Sequence, residues 1–277
     1  MNKVAVLLTC FNRKKDTLRC LDQLFCLKKE IDVYVVDDNS SDGTSAAILK
    51  QFPDVKLIKG NGDLFWNRGM HLAWKHASKH KYDFYLWLND DVVLYENCFD
   101  EMFACATILN NKGIVSGIIE TADNSKIIYG GTDKQRNIIK PNGNLQQITN
   151  MNGNVVLIPS DVFEKLGNLD PEFHHDLGDV DYGYRAQKEG VSVCSTREVV
   201  GSGQENELCR VRLKNCTLKE RFQKLYSPLG SPPKLNFYFR KRHFGFLNAF
   251  SFYTFQIVLN TLPDSLVKLI FGNKYSS

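Results

Sequence analysis

The sequence predicts an α/β fold: a mostly parallel sheet flanked by helices, followed by a helical, basic and aromatic C-terminal extension. Three observations carry this. Short apolar runs alternate with helix-period segments from Val4 to Leu88. Polar clusters follow directly on four of those runs, where ligands of parallel sheets sit. A length of 277 residues with 43% hydrophobic and 24% charged residues suits a core of ordinary size and excludes disorder and coiled coil.

Val4–Leu8 opens the chain as a buried parallel strand. Residues 16–27 place Leu18, Leu21, Leu24 and Phe25 at helical spacing, with Asp16 or Thr17 as cap. A second strand, 31–36, ends in the polar cluster Asp37–Thr44, and 45–51 reads as a helix. A third strand at 55–58 leads through a Gly-rich loop to a helix over 68–80, and the strand 84–88 ends in Asn89-Asp90-Asp91. Beyond it, strands are expected at 113–120, 154–158 and 191–194, and helices at 160–166 and 178–189. The polar stretch 121–147 reads as a hairpin or a flexible loop.

The strand-end clusters carry the chemistry. Asp37-Asp38 can begin a turn or accept hydrogen bonds from a nucleobase and a ribose. The adjacent carboxylates of Asp90 and Asp91 repel unless a cation lies between them. Hard oxygen ligands there suit Mg²⁺ or Mn²⁺ bridging to a diphosphate. Gly60-Asn61-Gly62-Asp63 and Asn67-Arg68-Gly69 form either a plain loop or one that closes over a phosphate, with Arg68 near a positive helix start. Neither a P-loop nor a dinucleotide fingerprint is present. In Gly178-Asp179-Val180-Asp181, acids at a helix start either complement its dipole or serve as a general base. Asp181 and Arg185 have i, i+4 spacing, so Asp179 is expected as the free acid and Asp181 as partly structural.

Together these segments resemble the family 2 (GT-A fold, Rossmann-like) glycosyltransferases over about residues 3–205. Thr9-Cys10-Phe11-Asn12-Arg13 is similar to the family's opening strand end, and Val35–Thr44 to its second-strand motif. Asn89-Asp90-Asp91 stands where the family has Asp-x-Asp, and Gly178–Arg185 where it has its acceptor motif. The resemblance implies a catalytic domain at 1–205, with a nucleotide-sugar half at 1–112 and an acceptor half at 113–205, and an extension at 206–277. It implies an inverting transferase moving a sugar from a UDP- or dTDP-sugar to a glycan or lipid-linked glycan in bacterial surface-polysaccharide synthesis. Asp37 and Asp38 would hold ribose and base, helped by Thr9, Phe11, Asn12 and Arg13. Asn61, Asn67, Arg68 and Asp90 would complete the donor site. Asp91, assisted by Asn89, would bind Mg²⁺ or Mn²⁺, and Asp179 would take the acceptor proton. Asp181 and Trp66 stand beside the acceptor, and Trp66 resembles relatives that use deoxysugars such as dTDP-rhamnose.

The chain departs from the family pattern at Asn89 and Gly178, and Val199–Gly203 lacks the histidine that many relatives carry after the last core strand. Two competing readings follow. A nucleotidyltransferase would need a Gly-rich loop after the first strand, which Thr9–Lys15 lacks. A non-catalytic sugar- or nucleotide-binding module is opposed by the retained Asp91 and Asp179.

Between Cys209 and His243 ten Lys and Arg face Glu220 alone, whereas the whole chain is only +4, so the remainder is acidic. Phe244–Pro263 has no charge but is too polar for a membrane span. The expectation is an interfacial helix, with residues 209–263 on an anionic membrane; packing back on the catalytic domain or on a homodimer partner is the rival, and nucleic acid is not expected. The eight cysteines form no Cys-x-x-Cys pair and the opening residues have no signal-like apolar region. Reduced thiols are therefore expected, in a cytoplasmic protein peripheral to the inner face of the membrane.

Overall fold

A computed structural model describes residues 2–27, 29–205, 211–272 and Tyr275. The chain divides into two compact units, Met1–Pro171 with Gly178–Glu205, and Glu172–Leu177 with Asn206–Ser277. Cys209 and Arg210 of the basic segment lie outside the described residues.

The first unit begins with β1 (Val4–Cys10), α1 (Lys14–Cys26), β2 (Ile31–Asp37), α2 (Thr44–Gln51), β3 (Lys56–Lys59), α3 (Phe65–Ala77) and β4 (Phe84–Leu88). Then come β5 (Val93–Leu94), α4 (Cys98–Ile108), β6 (Ile114–Thr121), β7 (Ile127–Tyr129), β8 (Gln146–Gln147), β9 (Val155–Pro159), α5 (Ser160–Leu166), α6 (Gly178–Lys188) and β10 (Val193–Gly203). The sheet runs β3-β2-β1-β4-β9-β6-β10-β5. It is parallel from β3 to β4, where the sequence alternates strand and helix. Beyond β4 it is mixed, because β9 enters antiparallel to both β4 and β6.

Every side chain of Val4–Leu8 is fully buried, since β1 lies mid-sheet between two helical layers. The period of two splits its residues: Val4, Val6 and Leu8 pack with Leu21 and Leu24 of α1. Ala5 and Leu7 pack with Met70, Ala73 and Trp74 of α3. The stretch 121–147 is a short hairpin, β7 on β6, followed by bridges and by β8 on β10.

Four expectations are corrected. Helix α1 starts at Lys14 with Arg13 before it, so neither Asp16 nor Thr17 caps it. Helix α3 starts at Phe65, not Arg68. Helix α4 occupies a stretch where the patterning assigns no element, because the buried Glu101 interrupts its apolar stripe. The last strand is eleven residues long, not four, and is irregular where Thr196, Arg197 and Glu198 break the apolar run. Glu101 explains both misses. Its Oε1 accepts the Arg197 backbone N–H left over by that irregularity (2.7 Å), and its Oε2 accepts from Arg197 Nη2 at 2.7 Å.

The second unit contains α7 (Leu218–Tyr226), α8 (Pro233–Phe244), α9 (Phe246–Thr261) and α10 (Asp264–Phe271). Thr217 and Glu220 form a capping box at the start of α7. Gly245, at φ 87°, separates α8 from α9, so the uncharged run begins a new helix after a left-handed break. Two of the expected surface cations are interior. Arg212 and Arg221 are buried, donate to the carbonyls of Leu259, Asn260 and Leu262, and pair with Asp264. They tie α7, the end of α9 and the start of α10 together. No described helix is long and apolar enough to cross a membrane. The seven described cysteines are free thiols, and five of them are buried.

Candidate active site

The carboxyl ends of β2, β1 and β4 lie side by side, because β1 stands parallel between the other two. The chain winds outward from β1 to β3 on one side and places β4 on the other. Such a reversal opens a crevice at the strand ends.

At the end of β2 the two acids build the loop. Asp37 Oδ1 accepts the Ser40 N–H at 2.9 Å, and Oδ2 accepts the Ser45 hydroxyl. Asp38 Oδ1 accepts the Gly62 N–H at 2.7 Å, and its Oδ2 accepts those of Leu64 (2.8 Å) and Phe65 (3.2 Å). Both carboxylates are buried. Backbone amides and the Ser45 hydroxyl thus fix the orientation of both carboxylates within the loop. The same bonds engage the amides of Leu64 and Phe65 where α3 begins. Phe65 is held at φ 55°, a conformation rare for a bulky residue.

At the end of β4 the neutralising group is a side chain. Arg13 donates from Nη1 and Nη2 to Asp91 Oδ2, both at 3.2 Å, and its Nη1 lies 3.4 Å from Asp90 Oδ1. Asp90 is buried, with the Thr17 hydroxyl 3.0 Å from its Oδ2. Burial pushes the Asp90 carboxyl up to about 6; Arg13 opposes this and Asp91 adds to it. Burial works against the charge of Arg13, but Asp90 and Asp91 more than offset it, so the guanidinium is held charged more firmly than usual. Asp91 keeps 26% of its side chain exposed.

Asn89 links this cluster to the opposite wall. Its Oδ1 accepts the Trp66 indole N–H at 2.7 Å and its Nδ2 donates to Asn154 Oδ1 at 2.8 Å. The antiparallel register that sets Leu88 against Val155 brings Asn89 and Asn154 together. The Trp66 ring lies so close over Gly153 that a Cβ there would stand 2.4 Å from it and 3.3 Å from the Asp179 Cβ. Asp179 Oδ2 accepts the Gly153 N–H at 2.8 Å and Oδ1 its neighbour Val180 N–H at 2.8 Å. The chain itself joins Asp91 to Asn89, and contacts then run from Asn89 through Trp66 and Gly153 to Asp179. Asp179 is half-buried and oriented by these two amides, and each oxygen keeps a second lone pair for a ligand. Asp181 is fully buried and pairs with Arg185 Nε at 2.9 Å.

The other expected donor residues divide by exposure. Asn67 is buried and donates to the Asp170 carbonyl (2.8 Å), and Arg68 Nε donates to that of Pro171 (2.8 Å). Both hold the 170–171 segment against α3. A side chain at Gly178 would collide with Asn67 Oδ1 at 1.7 Å, so the family's Glu has no room here. Thr9 packs on α3, where a Cβ at Gly69 would meet its Oγ1 at 2.2 Å. Phe11, Asn12 and Asn61 are exposed. Asn12 Oδ1 accepts the Ser41 N–H at 2.7 Å, joining the loops after β1 and β2, while Asn61 Oδ1 accepts the Asp63 N–H at 3.0 Å within its own turn.

Sequence reasoning missed Thr17, Gly153 and Asn154. Asn154 alone left a signal, an Asn opening one apolar strand as Asn89 closes another. Both ends of the Asn89 amide are engaged, by the Trp66 indole and by Asn154. No group of three or more His, Cys, Asp or Glu suited to a metal ion forms among the described residues. One exposed carboxylate, Asp91, is nevertheless a donor set that Mg²⁺ accepts when substrate phosphates supply further ligands. The site therefore fits a cation arriving with its diphosphate, and does not fit one caged by protein.

A Rossmann-like sheet whose switch point carries this cluster, facing a carboxylate at a helix start, defines a glycosyltransferase of the GT-A fold. The chain belongs to glycosyl transferase family 2, whose profile matches residues 5–166. Its fold is similar to that of the mannosyltransferase PcManGT from Pyrobaculum calidifontis, solved with GDP-Man and Mn²⁺. That likeness has 14% identity and a TM-score of 0.55, covering 99% of this chain and 69% of that one. It is also similar to residues 1–349 of S. aureus TarS, at 14% identity and a TM-score of 0.57, covering 98% and 78%. Against a longer S. aureus TarS structure the values are 10% and 0.59, with 97% of this chain and 45% of that chain covered. No curated protein sequence matches the chain.

Proposed function

We propose that the protein transfers one sugar, with inversion, from a UDP- or dTDP-sugar to a hydroxyl of a glycan or lipid-linked glycan in surface-polysaccharide assembly. The observation that carries this is the run of residues from Asp91, with Arg13 on it, through Asn89, Trp66 and Gly153 to Asp179. It sets charge for a diphosphate at one end and a fixed carboxylate at the other. The neighbour solved with GDP-Man and Mn²⁺ supports a nucleotide sugar as donor and a divalent cation beside it.

Asp91 would hold that cation through Oδ1, since its contacts with Arg13 use Oδ2. When bound, the cation supplies positive charge to the leaving diphosphate. Arg13, seated between Asp90 and Asp91, would add its guanidinium charge for the same phosphates. Asp179, its orientation locked by the Gly153 and Val180 amides, takes the proton of the acceptor hydroxyl. The acceptor oxygen bonds to the anomeric carbon from the face opposite the phosphate. The anomeric carbon–phosphate oxygen bond breaks, and its electrons leave with the nucleoside diphosphate. Trp66 offers a flat apolar wall beside Asp179, which favours a donor sugar or acceptor with an apolar face.

The test is a thermal-shift screen against UDP, GDP, CMP, dTDP and their sugars, with and without Mn²⁺. A ligand at about 100 times its Kd adds about 2.7 kcal/mol. One nucleotide should stabilise the protein, and more so with Mn²⁺. Asp179→Asn should keep that shift yet lower transfer by about a thousandfold, within the range for general-base removal. No stabilisation by any nucleotide would overturn the reading.

A further inference from the structure

One cluster of exposed apolar side chains in the second unit lies where α8 turns into α9. These helices form an antiparallel hairpin, as contacts widening in sequence show: Arg240 with Asn248, Phe237 with Tyr253, Ser231 with Gln256. At its turn Phe246, Leu247 and Phe250 are 57%, 82% and 55% exposed. Large apolar side chains clustered at a tip and open to water mark a contact surface.

Charge says what the surface contacts. The last turn of α8 carries Lys241, Arg242 and His243, and Lys241 is exposed. Arg240 lies over the Phe252 ring at 3.6 Å, and Arg242 over that of Tyr238 at 4.5 Å, so both cations are held on aromatic faces at the turn. No Asp or Glu occurs between Glu220 and Asp264. The tip is thus cationic and apolar together, with no acid in its own segment. A partner that fits must offer negative charge immediately above an apolar layer.

We propose that the α8–α9 turn docks on an anionic lipid bilayer. Phe246, Leu247 and Phe250 enter the boundary between headgroups and acyl chains, while the exposed Lys241 meets lipid phosphates. A second copy of the chain is disfavoured as occupant, since a two-fold contact through the tip would set these cations against their own kind. Leu247, the most exposed of the set, partitions into hydrocarbon but offers a nucleobase nothing to stack on. The proposal is independent of the chemistry assigned to the first unit.

Sedimentation of the full chain with phosphatidylcholine vesicles, with and without phosphatidylglycerol, tests it. Binding is expected only with phosphatidylglycerol and should weaken as salt rises. Leu247→Asp combined with Phe250→Asp should lower vesicle binding by about tenfold or more at an unchanged Tm, because both side chains face water in the free protein. Lys241→Ala should cost about fivefold, the equivalent of about 1 kcal/mol per basic residue. Failure of the wild-type chain to bind phosphatidylglycerol vesicles would overturn the proposal, as would equal binding by the double variant. Concentration-dependent self-association abolished by the same double variant would reassign the surface to a second copy.

Discussion

At the end of β2, Asp37 and Asp38 are neutralised mainly by backbone amides; at the end of β4, Asp90 and Asp91 are neutralised by the guanidinium of Arg13 and the hydroxyl of Thr17. The letters are almost the same, and both pairs cap parallel strands. An amide that closes a loop cannot leave without breaking the loop, so the first pair is bound into the scaffold. A guanidinium on a long side chain can exchange one anion for another, so the second pair can respond to a phosphate. What an acidic pair does is thus decided by what neutralises it.

That contrast predicts which variants fail in folding and which in chemistry. The largest effect on stability is expected from Asp38→Ala, which strands the amides of Gly62, Leu64 and Phe65. At about 1–3 kcal/mol for each buried unsatisfied group, and with part of this loop open to water, we expect a loss of about 3 kcal/mol. Calorimetry should record a fall in Tm of roughly 10 °C. Asp91→Asn should do the reverse: Tm should move by about 2 °C or less, while the rate of nucleotide release on transfer drops about a hundredfold, equivalent to about 2.7 kcal/mol. If Asp91→Asn unfolded the protein while Asp38→Ala merely slowed it, the contrast would be inverted and the assignment of roles lost.

Glu101 sharpens the comparison, because it combines both modes of neutralisation, accepting from the Arg197 backbone and from its guanidinium. Burial raises the Glu101 carboxyl, but the Arg197 and Cys105 hydrogen bonds outweigh it and hold the carboxyl below its usual range. A pKa lower in the folded than in the unfolded chain stabilises above the ordinary carboxylate pKa. That contribution is lost as pH falls through the folded value. Glu101→Gln keeps an acceptor but removes the charge, so it should cost about 2 kcal/mol at neutral pH, less than full loss of a buried pair. Urea titrations at descending pH should find a shallower acid loss in the variant than in the wild type.

The parallel half of the sheet and its strand-end clusters were legible because buried strands and amphipathic helices leave different periods. The fate of each acid was not. Asp38 is occupied by amides more than twenty residues downstream, and Asn89 by Asn154, which reaches it only because β9 inserts antiparallel beside β4. Such partners depend on topology, which periodicity does not encode. Two cations of the tail were illegible for a related reason. Arg212 and Arg221 count as surface cations in a composition, yet they sit inside, bound to carbonyls and Asp264.

Gly178 and Asn67 occupy one volume between them, the side chain of Asn67 filling the space where a Cβ of residue 178 would stand. Position 178 therefore cannot take a side chain while Asn67 stays in place. Gly178→Glu on the present background meets the Asn67 amide, and shrinking Asn67 first removes its bond to the Asp170 carbonyl. The two sites are epistatic, and the order of substitution matters: a small residue at 67 must come before an acid at 178. A residue 111 positions away in the chain thus sets which side chains position 178 accepts.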